Sequence, residues 1–163
     1  MKKILFFLTV LLLGSSIAKS QSVKFSDLVY MTPMNNDAVY ATLKQGGVFK
    51  QDYSEQVDGY PMEYFKKDSA KPDLERIETG RYTKLYDGTL LRTLDYSSTD
   101  VQNILNMVSQ AKYAGMYLMF QGADEVNNIY LFSSDLYQVS IYVRRDQASG
   151  VVEIKQKEFL NID

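Results

Sequence analysis

The side chains that could do chemistry in this chain are carboxylates, hydroxyls and amines, because the 163 residues include no histidine and no cysteine. Ser-His-Asp and Cys-His nucleophilic sites, histidine general bases and zinc held by histidine or cysteine are therefore excluded. The sequence also contains no P-loop, dinucleotide-binding or EF-hand pattern. We predict that the protein is not an enzyme and that it has neither a metal site nor a cofactor.

The carboxylates in the most suggestive positions are Glu55, Asp58, Glu63 and the pair Asp124-Glu125. Two facing carboxylates can act as acid and base in glycoside hydrolysis. However, no spacing in the sequence holds two of these side chains at a working distance, and Asp is a frequent turn former. We expect turn and surface roles for them, and a carboxylate-based hydrolase of the cell envelope is an alternative function.

Tyrosine is the better candidate for binding, since the chain has 13 tyrosines, eight phenylalanines and no tryptophan. Tyrosine and arginine dominate the energetics of protein interfaces, and tyrosine supplies contact area at a low cost in entropy. Two predicted strands carry such residues on outward faces, although an ordinary solvated sheet face has a similar composition. We predict a surface that binds another protein, with a small-ligand or sugar site as the alternative. The candidate residues are Tyr82, Lys84 and Tyr86 on one strand face, Arg92 near them, and Tyr142 and Arg144 on another face.

The elements that must position these residues are clearest in 99–120, TDVQNILNMVSQAKYAGMYLMF. Thr99 and Gln102 have the spacing of a capping box, and Gly115 suits the left-handed residue that often ends a helix. The apolar run 116–120 is too short for another helix and predicts a strand covered on both faces or packed against its own helix. The helix between them has an apolar stripe with helical spacing, formed by Val101, Ile104, Leu105, Val108 and Ala111.

A similar order of elements occurs in the first half of the chain. A short helical turn near Leu28 precedes a helix that Asn35 or Asn36 caps. Gly46-Gly47 ends that helix, and strands follow with hairpin turns at Asp58-Gly59 and Asp87-Gly88. Residues 68–73 contain a proline and predict a loop.

The second half continues with a turn or loop at 121–128 and then three strands. The clearest strand alternates apolar and polar residues around Val139, Ile141 and Val143. A turn at 148–150 leads to the last strand. We interpret Lys155 and Lys157 there as protection of a sheet edge against aggregation.

Residues 1–20 have the composition of a signal peptide. Lys2 and Lys3 precede an apolar run of ten residues, Ile4 to Leu13, and small residues follow up to Ser20. This run is short for a membrane span of about 20 residues. We predict cleavage after Ser20, a periplasmic or secreted location, and no membrane span in the mature protein.

The predicted mature chain, 21–163, has the length of one ordinary domain. Without Lys2, Lys3 and Lys19, 15 basic side chains remain against 20 acidic ones, and the net charge is −5. Nucleic-acid binding usually requires a basic surface, so we do not expect a nucleic-acid partner. Without cysteine, the domain has no disulfide framework and depends on its hydrophobic core.

The two halves, 21–97 and 98–163, each combine a helix, a glycine, an aromatic strand and further antiparallel strands. Gly47-Val48-Phe49 in the first half corresponds to Gly115-Met116-Tyr117 in the second. We predict an α+β fold with two helices packed on antiparallel sheet, formed by a tandem repeat or by two unrelated units of the same common order. The order of elements resembles that of β-lactamase inhibitory protein and its relatives, although no sequence motif matches. The resemblance implies adjoining sheets and a tyrosine-rich face that grips an enzyme.

Overall fold

A computed structural model describes residues 23–68 and 74–158. The predicted signal peptide and most of the predicted loop at 68–73 lie outside these residues. The described part forms three helices and an eight-stranded antiparallel sheet, so the predicted α+β class is confirmed. The helices are α1 (Phe25–Met31), α2 (Asn36–Gly46) and α3 (Val101–Tyr113). The strands are β1 (Phe49–Val57), β2 (Tyr60–Lys67), β3 (Glu75–Lys84), β4 (Leu90–Ser98), β5 (Tyr117–Ala123), β6 (Asn127–Ser133), β7 (Tyr137–Arg144) and β8 (Gly150–Gln156).

The sheet consists of two four-stranded meanders that join through their last strands, β4 and β8. The strand order is β1-β2-β3-β4-β8-β7-β6-β5, and every neighbouring pair is antiparallel. Helix α2 precedes the first meander and helix α3 precedes the second. This is the order of elements that a tandem repeat would have, and common ancestry of the two halves stays a prediction.

The hydrophobic core lies between the helices and one face of the sheet. Alternate sheet residues such as Ile77, Leu94 and Ile154 are buried and belong to one cluster with the apolar sides of the helices. Val139, Ile141 and Val143 are buried as their alternation predicts. None of the helices in the described part is long and apolar enough to cross a membrane.

The predicted helix in the second half is confirmed as α3. It begins at Val101, one residue later than a cap at Thr99 would place its start. Asp100 is the N-cap, and its carboxylate accepts a hydrogen bond from the backbone N–H of Asn103 at 3.1 Å. The prediction of Thr99 as the cap is therefore wrong. Gly115 follows the helix with a φ of 78°, as predicted. In α2 the cap is Asn35, which was one of the two predicted residues.

A buried polar network fixes α3 to the sheet. Lys67 on β2 forms an ion pair with the Glu75 carboxylate on β3. The same carboxylate accepts a hydrogen bond from the Tyr96 hydroxyl at 2.9 Å, and that hydroxyl accepts one from the Asn103 amide of α3 at 2.9 Å. Glu75, Tyr96 and Asn103 are all buried. The network thus connects three strands and a helix in one arrangement.

The strand after α3 differs most from its prediction. β5 lies at an edge of the sheet, and α3 contacts β4, β7 and β8 instead of covering it. The prediction of a covered strand at 116–120 is therefore wrong. The strand also continues to Ala123, so the predicted turn at 121–128 is reduced to 124–126. Its side chains from Tyr117 to Phe120 are 40 to 73% exposed.

The last strand, β8, was expected at an edge of the sheet and is an inner strand. β8 lies in the middle of the sheet, between β4 and β7, so the interpretation of Lys155 and Lys157 as edge protection is wrong. Lys155 instead forms an ion pair with Glu153 on the same strand at 3.0 Å. Whether a strand lies at the edge or in the middle of a sheet depends on its pairing with distant strands. The local sequence around Lys155 carries no information about that pairing.

Candidate functional site

The sheet face opposite the helices carries a row of side chains that crosses all eight strands. Cross-strand register places each member of the row directly opposite the next. Within the described residues no helix covers this face. We call it the open face and define its central row as Tyr53, Tyr64, Glu78, Asp95, Glu153, Ser140, Leu131 and Phe120.

The centre of this row is a cluster of carboxylates with two cations. Arg81 lies 2.9 Å from Asp95 and 3.6 Å from Glu153, and Lys155 lies 3.0 Å from Glu153. The side chains of Asp95 and Glu153 are only 16 and 17% exposed. Glu78 is the neighbour of Asp95 on β3. Three acids against two bases leave these five side chains with an acidic excess.

The geometry perturbs the ionisation of Asp95. Burial of the carboxyl, together with the charges of Glu153 and Glu78, raises the pKa of Asp95 to about 6, although Arg81 and Lys155 oppose the rise. Desolvation disfavours the charged form of a carboxyl, and nearby like charges have the same effect. Strongly shifted groups of this kind are frequent at functional sites.

Aromatic and aliphatic side chains lie at both ends of the row. On β1 and β2, the rings of Tyr53 and Tyr64 stack with their centroids 4.2 Å apart. At the other end, Phe120 lies opposite Leu131. The ring of Phe120 also covers Gly122, where a Cβ would lie 2.5 Å from Cζ of Phe120.

Of the six predicted binding residues, Tyr142 and Arg144 lie on the open face. Tyr142 is flanked by Ile129 on β6 and Val151 on β8, so it belongs to an apolar patch next to the central row. Arg144 lies at the end of β7 and is exposed. Its guanidinium binds the Asp146 carboxylate at 2.6 Å, and this ion pair raises the pKa of Arg144.

Tyr82 and Arg92 form a second group, in a cleft on the helix side of the sheet. They lie opposite each other on β3 and β4, and the Tyr82 ring meets the Tyr60 ring edge-on at a centroid distance of 5.1 Å. The cleft has a volume of about 380 Å³. It is lined by Asn35, Asn36, Asp37, Pro61, Glu63, Gly80, Tyr82, Leu90 and Arg92.

Lys84 and Tyr86 do not line this cleft with Tyr82 and Arg92. Lys84 is the exposed last residue of β3, and Tyr86 lies beyond the strand in a fully exposed turn. The predicted shared face for Tyr82, Lys84 and Tyr86 is therefore wrong for Tyr86, because β3 ends two residues before it. The structure divides the six residues between the open face, the cleft and the turn.

The predicted turn carboxylates lie where they were expected. Asp58 occupies the hairpin turn between β1 and β2 with a φ of 51°. Asp124 accepts hydrogen bonds from the backbone N–H groups of Val126 and Asn127, and these bonds lower the pKa of its carboxyl. In 23–68 and 74–158, no group of three or more carboxylates is arranged to hold a metal ion.

Comparison with known proteins adds no residue to this geometry. No family model, curated protein or solved structure matches the chain. The side chains of the open face and of the cleft are therefore the available indications of function.

Sequence reasoning missed the central charges of the open face. In LDY and in VEI, a charged residue stands between two apolar ones, so alternation alone directs Asp95 and Glu153 away from the core. Their meeting requires the pairing of β4 with β8, which are 52 residues or more apart in the chain. A local pattern therefore reveals the direction of each side chain but not the cluster.

Proposed function

We propose that this chain is an exported, non-enzymatic binding protein that recognises another protein through the open face. The observation that supports the proposal best is the composition of that face, an acidic centre between two aromatic ends. It is a broad uncovered surface in the described residues, and neither Asp95 nor Glu153 lines the clefts beside Phe49, Met62 and Tyr82.

The aromatic ends supply the contact energy in this proposal. Tyr53, Tyr64, Tyr142 and Phe120 all lie on strands of the sheet. An aromatic side chain loses little conformational entropy when a partner covers it. Tyrosine is among the residues most often found at the energetic centre of an interface. Tyr142 has the most favourable position, because Ile129 and Val151 surround it with apolar surface.

The acidic centre supplies register and selectivity. Charged groups across an interface favour complementary partners and disfavour those with like charge. Glu78, Asp95 and Glu153 exceed the charge of Arg81 and Lys155, so the partner should present a basic group flanked by apolar ones. The face thus has aromatic ends and a charged centre with an excess of carboxylates, and Arg144 at its margin is the predicted basic residue that lies on it.

The location belongs to the same proposal. The signal-peptide pattern in residues 1–20 supports export to the periplasm or the medium, where the partner would be met. The resemblance to β-lactamase inhibitory protein supports the same kind of function, because that family also grips an enzyme with a sheet face.

Affinity capture from an envelope extract tests the proposal when it includes matched variants. Tyr142→Ala, Tyr64→Ala and Arg144→Ala remove groups from the open face, whereas Tyr30→Ala removes an exposed tyrosine from α1. We expect the first two to lose the captured partner and Tyr30→Ala to retain it. If all the open-face variants still captured the partner, or if only Tyr30→Ala failed to capture it, the binding surface would lie elsewhere.

One observation favours a second function, a carboxylate-based hydrolase. Asp95 and Glu153 face each other across adjacent strands, and Asp95 has a pKa of about 6, which suits a general acid. Incubation with a panel of soluble glycosides and envelope polysaccharides tests this candidate. Hydrolysis that Asp95→Asn and Glu153→Gln abolish would establish it, and the absence of hydrolysis in the unaltered protein leaves the binding function.

A further inference from the structure

The edge strand β5 presents an unusual combination of features for the edge of a sheet. Its sequence, YLMFQGA, contains no charged residue and no proline. Tyr117, Leu118, Met119 and Phe120 are 73, 40, 69 and 48% exposed. Within the described residues no strand pairs with its outer side. Such edges attract other strands, and proteins usually protect them with charges.

The opposite edge of the same sheet has that protection. β1 carries Lys50, Asp52 and Glu55, and ion pairs join Lys50 to Asp68 and Asp52 to Lys66. Both edges contain a bulge, at Asp52 and at Met119. The difference between them is therefore charge, and β5 alone lacks the feature that prevents pairing.

The chemistry of β5 suits a second copy of itself. An antiparallel pair of identical strands about a two-fold axis brings no like charges together, because the strand has none. The residues that flank the two ends of the strand carry opposite charges. Lys112 precedes it at the end of α3, whereas Asp124 and Glu125 follow it in the turn. Antiparallel pairing directs the basic end of one copy towards the acidic end of the other.

A two-fold arrangement also closes the assembly. Pairing of β5 with the β1 edge of another copy would extend without limit, as heterologous contacts do when their rotation does not close. The charged β1 edge opposes that outcome, whereas pairing of β5 with β5 uses both free uncharged edges at once.

We propose that two copies of this chain associate through antiparallel pairing of their β5 strands, which joins the two sheets into one. The exposed side chains of residues 117–120 then lie against the β5 strand of the second copy, and those nearest the two-fold axis contact their equivalents. The central charges of the open face remain accessible in such a dimer. Phe120 belongs to both surfaces, whereas Tyr64 and Tyr142 lie on other strands than β5. Variants at Tyr64 and Tyr142 therefore test partner binding separately from dimerisation.

Sedimentation velocity of the protein purified after export, over a wide concentration range, tests the proposal. We expect a monomer–dimer equilibrium. Met119→Lys should weaken it by about ten-fold or more, because pairing centred on the middle of β5 then brings two like charges close to the two-fold axis. Ser54→Lys on the exposed β1 edge is the matched control and should leave the equilibrium unchanged.

A charge-reversal experiment separates pairing from misfolding. Met119→Lys and Met119→Glu should each be folded by circular dichroism and should each dimerise more weakly than the unaltered protein by sedimentation velocity. An equimolar mixture should restore a dimer that contains one copy of each. A protein that stays monomeric at all concentrations overturns the proposal. A dimer that survives Met119→Lys, or that Ser54→Lys disrupts instead, overturns it as well.

Discussion

Asp95 on β4 lies directly opposite Glu153 on β8, so two mostly buried carboxylates from distant parts of the chain face each other on the open face. Arg81 reaches both of them, yet the pKa of Asp95 rises to about 6. Like charges in directly opposed positions destabilise a sheet. The ionised pair therefore reduces stability at neutral pH.

The first prediction concerns Asp95→Asn. Because the folded-state pKa lies above the ordinary value, the favourable contribution of Asp95 is complete below about pH 4 and is lost as the pH rises through 6. Asp95→Asn should therefore raise the free energy of unfolding at pH 7.5 by about 1 to 3 kcal/mol. At pH 4 the variant and the unaltered protein should have similar stability. Urea denaturation at both pH values measures the difference.

Asp146→Asn is the control for this experiment. The ion pair with Arg144 lowers the pKa of Asp146 to about 2, so its contribution to stability is present at neutral pH and disappears in acid. Asp146→Asn should therefore lower the free energy of unfolding at pH 7.5, whereas Asp95→Asn should raise it. If Asp95→Asn were less stable than the unaltered protein at pH 7.5, the ion pair with Arg81 would outweigh burial and repulsion.

The second prediction concerns the buried network of Lys67, Glu75 and Tyr96. Glu75→Gln leaves the Lys67 ammonium largely buried without its counter-charge, which should reduce the free energy of unfolding by about 3 to 5 kcal/mol. Tyr96→Phe removes one neutral member and should reduce it by about 1 to 3 kcal/mol. Chemical denaturation at pH 7 measures both changes.

Lys50→Met provides the comparison for that network. Lys50 and Asp68 form an ion pair whose two side chains are more than half exposed. Exposed ion pairs contribute about 0 to 1 kcal/mol, so this substitution should have little effect. Equal effects of Lys50→Met and Glu75→Gln would show that burial does not distinguish the two pairs.

Local sequence patterns predict much of this fold because their causes are local. Val139, Ile141 and Val143 are buried through the two-residue period of a strand, and Asp58-Gly59 forms a turn through its own backbone preferences. The order of the strands is not local. Asp95 meets Glu153 only because β4 pairs with β8, and the apolar run after Gly115 is exposed because β5 ends the sheet.

The candidate site was correspondingly harder to predict than the fold. Residue type and alternation predict Tyr142 as a binding residue, and the structure adds the flanking Ile129 and Val151 that make its position favourable. Tyr86 was selected by the same rules and lies in a turn. Alternation shows which side of a strand a residue occupies only while the strand continues, and the end of β3 is not evident from the sequence.

The third prediction concerns Gly80, at the bulge in β3. Its φ is +117°, and a Cβ there would lie 2.2 Å from the carbonyl oxygen of Pro61 on β2. Both features exclude a side chain unless the backbone moves, so Gly80→Ala should destabilise the protein by about 2 kcal/mol or more. Gly46→Ala at the end of α2 meets no atom within 4 Å and should stabilise by about 0.5 kcal/mol. Thermal melts of both variants test the contrast, and similar melting temperatures would contradict it.

The fourth prediction concerns the start of α3. Asp100→Ala removes the acceptor of the Asn103 N–H hydrogen bond and should reduce the free energy of unfolding by about 1 kcal/mol. Asp100→Ser keeps an acceptor and should retain most of that energy. Thr99→Ala changes an exposed side chain outside the helix, so its effect should stay within about 0.5 kcal/mol. Urea denaturation of the three variants ranks them, and a larger loss for Thr99→Ala than for Asp100→Ala would mean that the helix begins one residue earlier.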